Sequence, residues 1–238
     1  HQLLNVSMNP ITISYSLPLK SETIIPSYDN MLRAIQQKLQ ENNVLKPNYQ
    51  FSFTLKQIDS YEQLALFFGE EIDLSDLFKI TSPNPIHKTV AVLDISQSYF
   101  SIAMDMPEEE LSNSPIVQEQ LSELIYVGSI EFGRRSILIV ESDLNYQDVK
   151  VALNEILNKS TTKKGDISEK SKSIMASSII RGLILDPLAN ENITPDNPLE
   201  YLLDYINSDI SPNDFGVPIF FTAAWLKDNS VFVNKFTN

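Results

Sequence analysis

The 238-residue chain contains no cysteine. A disulfide framework, a thiolate nucleophile and a cysteine metal site are therefore excluded, although the compartment is left open. Histidine is nearly as scarce, with His1 and His87 the two copies. His87 sits alone in a proline-flanked loop and reads as a surface residue. No serine lies in a motif that would complete a Ser-His-Asp set with it. There is no glycine-rich phosphate loop, and no ligand spacing that suits a metal. The acidic triplet Glu108-Glu109-Glu110 follows Pro107 and reads as a solvated loop. These absences describe a chain that is not an enzyme and carries no cofactor. No apolar run approaches the ~20 residues of a membrane-spanning helix, and no secretory signal is visible. His1 is not a usual native start, which points to a processed or excised piece of a longer chain. Positive charge is in deficit, with 18 Lys and Arg against 31 Asp and Glu, a net charge of −13. That sign is repelled by nucleic-acid phosphates and by anionic lipid heads. Nucleic acid is thereby excluded as a charge-driven partner, whereas neutral membranes are not.

What the chain does have is long strand-forming stretches. The stretch 217–236 reads V-P-I-F-F-T-A-A-W-L-K-D-N-S-V-F-V-N-K-F. Its aromatic and β-branched residues are broken by Lys227-Asp228-Asn229. Asp and Asn tolerate the positive φ of a short loop, so a hairpin is expected. Three more long strands are predicted over 89–106, 125–141 (broken by Gly128 and Gly133) and 174–186. Shorter ones are expected over 3–8, 11–17 and 49–58.

Between the strands lie helix signals. Tyr28, Met31, Leu32, Ile35 and Leu39 form one apolar stripe over 27–41. Ser60 and Gln63 resemble a capping box for a short helix over 61–68, with Gly69 past its end. A weak helix is expected over 114–124. Asn145 caps a clear one that turns Val149, Ala152, Leu153, Ile156 and Leu157 inward. The Lys-, Ser- and Thr-rich stretch 160–172 reads as a mobile polar loop. Leu199, Leu202, Leu203 and Ile206 share one face of a helix over 199–207. Two helical inserts thus join consecutive long strands of an antiparallel sheet, where short turns are the norm.

At the hairpin the residues Pro218-Ile219, Thr222 and Leu226-Lys227-Asp228-Asn229-Ser230-Val231 resemble the cholesterol-dependent, or thiol-activated, cytolysins of the perforin-like superfamily. Three further stretches are similar in the same order. They are the strand carrying Phe132-Gly133-Arg134, the strand from Val90-Ala91-Val92 to Asp105-Met106-Pro107, and the helices near 26–39 and 61–69. The resemblance implies an α+β fold: a bent, twisted four-stranded antiparallel sheet carrying two helical inserts, with a further helix/strand subdomain. It places a connecting strand pair at 1–19 and the subdomain at 20–97 with 142–183. The core sheet falls at 98–141 with 184–238, and the inserts at 107–124 and 191–211.

The function implied is that of a pore-forming subunit, secreted or at the cell surface. It would be monomeric in solution and a homo-oligomeric ring when active. On a membrane the two inserts would refold into hairpins of one barrel. The resemblance assigns Phe100 and Trp225 to an aromatic pair that sets strand register across subunits; as an alternative, both are core residues of the sheet. In the second insert Leu199, Tyr201, Leu203 and Tyr205 form one apolar row at strand spacing, opposite Glu200 and Asp204. A plain amphipathic helix fits the same residues. Three features depart from the family. Asp186-Pro187 stands where the family has a glycine pair, and proline supplies no backbone donor. The first insert is short, with Glu119 and Glu123 in one alternate row and Gln118 and Gln120 in the other. The family's C-terminal sterol-binding domain, with its tryptophan-rich loop, is absent from these residues. Trp225 is the sole tryptophan, so contact with a sterol-containing membrane is expected through a region outside this chain. The competing reading is a non-lytic surface-binding or adhesion protein on the same fold.

Overall fold

The computed structural model describes residues 6–42, 50–64, 77–105, 111–162, 165–185, 198–208 and 210–233. Expectations for 1–5, Gly69, the acidic triplet 108–110 and Asp186-Pro187 lie outside the described residues. The chain divides into two compact units. One comprises His1–Gln50, Ser98–Gly133 and Ile210–Asn238, and the other Phe51–Gln97 and Arg134–Asp209. Among the described residues seven strands form one open antiparallel sheet, the four strands expected of the core together with three others. In chain order they are β1 (Ile11–Tyr15), β2 (Glu22–Ile24), β3 (Gln50–Ile58), β4 (Thr89–Met104), β5 (Ile125–Ser142), β6 (Ile179–Leu185) and β7 (Val217–Trp225). The helices are α1 (Tyr28–Asn42), α2 (Pro115–Glu119), α3 (Tyr146–Thr162), α4 (Glu169–Ala176) and α5 (Pro198–Asn207). The long strands β4 and β5 contribute to both units.

In the second unit β3 pairs with the early part of β4, and β5 pairs with β6 from Arg135↔Leu185 to Glu141↔Ile179. Side chains alternate across the sheet. Ala91, Leu93, Ile95, Leu138 and Val140 turn to one face, where α3 packs Val149, Leu153, Ile156 and Leu157, α4 packs Ile174 and Met175, and α5 packs Leu199, Leu202 and Ile206. Val90, Val92, Ile137 and Ile139 turn to the other face, against Ile58, Tyr61, Leu64, Phe78 and Ile80. Both faces are covered, which is why Val90–Leu93 and Ile137–Val140 are continuous apolar runs without polar alternation.

In the first unit β1 lies between β2 and the end of β4, with Tyr15 opposite Ile102. β5 there pairs with β7 from Ile125↔Trp225 to Gly133↔Val217. Its core joins Met31, Ile35 and Leu39 of α1 to Tyr99, Phe100, Ile102 and Phe132 of the sheet. Ser27 accepts the Asn30 N–H at 3.1 Å and caps α1. Asn145 does the same for Asp148 at 3.0 Å at the start of α3.

Three expectations are corrected. First, residues 174–176 close α4 instead of opening a strand, so β6 is shorter than the predicted 174–186. Second, the polar stretch 160–172 contributes to two helices, α3 running to Thr162 and α4 starting at Glu169. Ser168 caps α4 through the Ser171 N–H, and Glu155 of α3 accepts from the Ser168 N–H and from both hydroxyls at 2.5–3.0 Å. These bonds with Ser168 and Ser171, and a contact with Lys159, hold the Glu155 carboxyl well below the ordinary range. Third, Tyr61–Leu64 is a 3-10 turn, the rest of the expected helix 61–68 lying outside the described residues, and Gln63 reaches back to the Asp59 N–H, not to Ser60.

One buried carboxylate ties the second unit together. Glu141 is almost wholly inaccessible to solvent. It accepts from the Tyr61 hydroxyl at 2.5 Å, from the N–H groups of Ile86 and His87 at 2.5 and 2.8 Å, and from Arg181 at 3.3 Å. Burial works against its charged form, but the hydrogen bonds outweigh it and hold the carboxyl below its usual 4.5. A depressed folded-state value stabilises the fold above the unfolded value. That stability is complete above about pH 4.5 and is lost as pH falls through the lower folded value. Glu141→Gln is expected to destabilise the protein at pH 7 by about 3 kcal/mol, because Arg181 loses its buried partner. The variant's unfolding free energy should also change less than wild type between pH 5 and pH 3. Equal pH slopes in urea titrations would contradict this.

Candidate functional site

The two connections between long strands are held down in different ways. In the first unit, 111–124 follows β4 and contains α2. Its start is tied to the segment before β1: the Asn9 N–H donates to the Leu111 carbonyl at 2.9 Å, and the Ser112 hydroxyl donates to the Ser7 carbonyl at 2.6 Å. Leu111 and Val117 are buried, whereas Glu119 and Gln120 face solvent. Two apolar side chains and a few backbone bonds therefore anchor this connection.

Phe100 and Trp225, the expected register pair, keep separate partners within the unit. Phe100 is buried and stacks on Phe132 with centroids 5.3 Å apart and rings 8° from parallel; Phe215 leans against both. Trp225 is half-buried at the end of β7. It meets Phe232 edge-on at 5.3 Å and carries the Lys227 ammonium 5.6 Å above its ring. The turn beyond it closes as the sequence suggests. Asn229 has φ +58°, its N–H donates to the Trp225 carbonyl, and its side chain accepts from the Tyr126 hydroxyl at 2.9 Å. Bonds from the Ser230 hydroxyl and N–H hold the Asp228 carboxyl below its ordinary value. The return leg is brief among the described residues, with one bridge at Ala224↔Val231.

Phe132 and Gly133 have distinct tasks. Phe132 is wholly buried in the aromatic cluster. Gly133 lies under Gly216. Gly216 has φ +82°, and a Cβ there would sit 2.2 Å from the Gly133 carbonyl oxygen. The backbones touch, so the chain enters β7 through a position open only to glycine. The β5–β7 register shifts at Val127/Ser129, leaving Gly128 as the extra residue, and again at Glu131/Phe132. Glycines expected to interrupt β5 instead lie within a continuous, bulged strand.

In the second unit the connection after β6 contains α5. Leu199, Leu202 and Ile206 are buried against the helical face of the sheet, while Glu200 and Asp204 are exposed. Of the expected strand-spaced row, Leu199 is buried, and Tyr201, Leu203 and Tyr205 are half-buried. The Tyr205 hydroxyl donates to the Leu185 carbonyl at 2.7 Å, at the end of β6. Arg134 of β5, completely buried, aims its guanidinium at the other end of the helix. Its Nη1 donates to the carbonyls of Tyr205 and Ser208, each at 2.6 Å, and to the Ser208 hydroxyl. The guanidinium carbon lies 4.9 Å from the Tyr205 ring centroid. A helix leaves its last carbonyls without intrahelical donors, and its C-terminus carries partial negative charge. Arg134 meets both needs. The sequence marked Arg134 as part of a strand motif but held no sign of this contact, which spans 71 positions along the chain.

These features define a sheet protein whose long strands are joined by helix-containing connections, the second laid on the sheet through α5. The thiol-activated cytolysin family model matches residues 2–238, and the chain belongs to that family. It is 25% identical to tetanolysin of Clostridium tetani and 24% identical to perfringolysin O of Clostridium perfringens, covering 96% of this chain and 48% and 50% of those proteins. Among solved structures, pneumolysin superposes with a TM-score of 0.71 at 20% identity, over 97% of this chain and 54% of that one. The human-specific toxin intermedilysin gives 0.70 at 22%, with the same coverage, and a non-hemolytic pneumolysin from Streptococcus pneumoniae strain ST306 gives 0.69 at 19%, again over 97% and 54%. The chain thus spans about half the length of the relatives it matches.

Gly216→Ala is expected to lower stability by about 1–3 kcal/mol, since the new methyl group must displace the Gly133 backbone. Thermal unfolding checks it. A melting temperature within a degree of wild type would show that the two backbones are not held in contact.

Proposed function

We propose that this chain is the core of a subunit of a β-barrel pore former. The subunit gathers into a homo-oligomeric ring on a membrane and converts its two helical connections into spanning hairpins. The observation that carries the reading is the double pattern of 199–206. At helical spacing Leu199, Leu202 and Ile206 bury against the sheet. At strand spacing the same segment presents Leu199, Tyr201, Leu203 and Tyr205 on one side, opposite Glu200 and Asp204. Lipid tolerates strands only in a closed barrel, because an open edge leaves peptide groups unpaired in hydrocarbon. One subunit cannot close such a barrel, so a ring is required. Membership of the thiol-activated cytolysins supports the reading.

In this account the membrane is sterol-containing and is recognised by a region outside these residues, and the protein acts after secretion or at the cell surface. Phe100 and Trp225 set strand register between neighbours in the ring. Phe100 must then leave the Phe132–Phe215 cluster, so assembly includes opening of the first unit's core. A second reading, a non-lytic surface-binding protein, is favoured by one observation. The rows of 111–125 carry Glu119 and Glu123 or Gln118 and Gln120, so neither offers the apolar face a lipid-exposed strand needs.

These 238 residues contain no cysteine, so an engineered pair forms the only disulfide within them, and any cysteine elsewhere in the full-length protein is first replaced by serine. The full-length protein, carrying a disulfide between α5 and β6, is applied to sterol-containing vesicles loaded with dye. No release when oxidised and full release after reduction is expected. Equal release in both states contradicts hairpin conversion, and binding without release in either state favours the second reading.

A further inference from the structure

The contact between Arg134 and α5 does more than fill a gap in the core. α5 is ten residues long. Isolated helices of that length are marginal in water, so α5 depends on what holds it from outside. Three attachments do so within the second unit: the buried stripe Leu199, Leu202 and Ile206; the Tyr205 hydroxyl on Leu185; and the Arg134 guanidinium on the carbonyls of Tyr205 and Ser208. The first two attachments use the helix's own side chains. Arg134 alone of the three reaches from the sheet and grips the peptide backbone. Its bonds exist only while residues 205–208 keep the helix-end conformation. The Ser208 hydroxyl donates to the Tyr205 carbonyl at 2.8 Å and receives Arg134, so the three groups close on one another.

We propose that Arg134 is a latch that sets the free energy of releasing α5 from the sheet, and that its disengagement is the step which frees the second insert. A charge this deeply buried strongly disfavours loss of its acceptors. Release of α5 therefore requires that water or a new acceptor reach Arg134 at the same moment. The helix is held in an all-or-none manner and does not fray gradually from its C-terminal end. The link to insertion rests on reading α5 as a stored membrane segment; the latch itself does not.

Amide hydrogen exchange of the full-length protein in solution, without a membrane, tests the latch. Arg134→Lys keeps the charge but loses the planar fork. Ser208→Ala removes one acceptor and leaves the core intact. Each is compared with Leu153→Ala, which weakens the same unit through α3. The expected result is that Arg134→Lys raises exchange of the α5 amides by about 10- to 100-fold relative to those of α3, the range for loss of charge-assisted hydrogen bonds. Ser208→Ala should give a smaller change of the same selectivity, and Leu153→Ala should show none. If α5 and α3 amides accelerate together in both latch variants, Arg134 is merely a stabiliser and the proposal falls. Dye release by the full-length protein then separates the two claims. A shortened lag in Arg134→Lys ties the latch to insertion, and an unchanged lag removes that tie. No release by wild type sinks the pore reading while the exchange experiment still decides the latch.

Discussion

A short helix that cannot stand alone is kept in place by the sheet on which it packs. This constraint governs the structure. α5 draws its existence from burial of Leu199, Leu202 and Ile206 and from Arg134 at its end. Each buried leucine or isoleucine contributes about 1.5–3 kcal/mol, and nothing within the ten residues would replace that elsewhere. The sheet beneath is different in kind. Its part in the second unit is covered on both faces and fixed by the Glu141 network. The sheet is held by its own two cores, whereas α5 is held by the sheet; the proposed conversion of α5 draws on that difference.

Much of this was legible in the sequence, for identifiable reasons. The strands at Thr89–Met104, Ile125–Ser142 and Val217–Trp225 announced themselves through β-branched and aromatic runs, and α1, α3 and α5 through apolar stripes, with Asn145 capping α3. α4 was missed because its signal is polar. Ser168 and Glu155 build its start, and two apolar residues, Ile174 and Met175, looked like the opening of the next strand. β2 was missed because three residues carry no periodicity.

The candidate site was less legible. Phe132, Gly133 and Arg134 stood out as a motif, yet their tasks depend on Phe215, Gly216 and Ser208, residues some 74 to 83 positions later that no local pattern singles out. Gly216 shows the difficulty well: a loop-ending glycine is commonplace, and only its approach to the Gly133 carbonyl shows that the residue type is obligatory. The row Leu199, Tyr201, Leu203 and Tyr205 was legible as a pattern, but the folded chain uses the helical reading of the same letters. Where two periodicities coexist, the sequence leaves both states available and the surroundings choose. In solution the sheet chooses the helix. The proposal is that a membrane chooses the strand.

That choice is directly measurable. These 238 residues hold no cysteine, so once any cysteine elsewhere in the full-length protein is replaced by serine, single cysteines placed at each position from 198 to 207 can carry a polarity-sensitive fluorophore. On sterol-containing vesicles the account predicts alternation with period two, in which probes at 199, 201, 203 and 205 enter lipid while those at 200, 202 and 204 remain in water. Retention of the 3.6-residue period, or an aqueous signal at every position, would contradict conversion of α5 into a membrane strand.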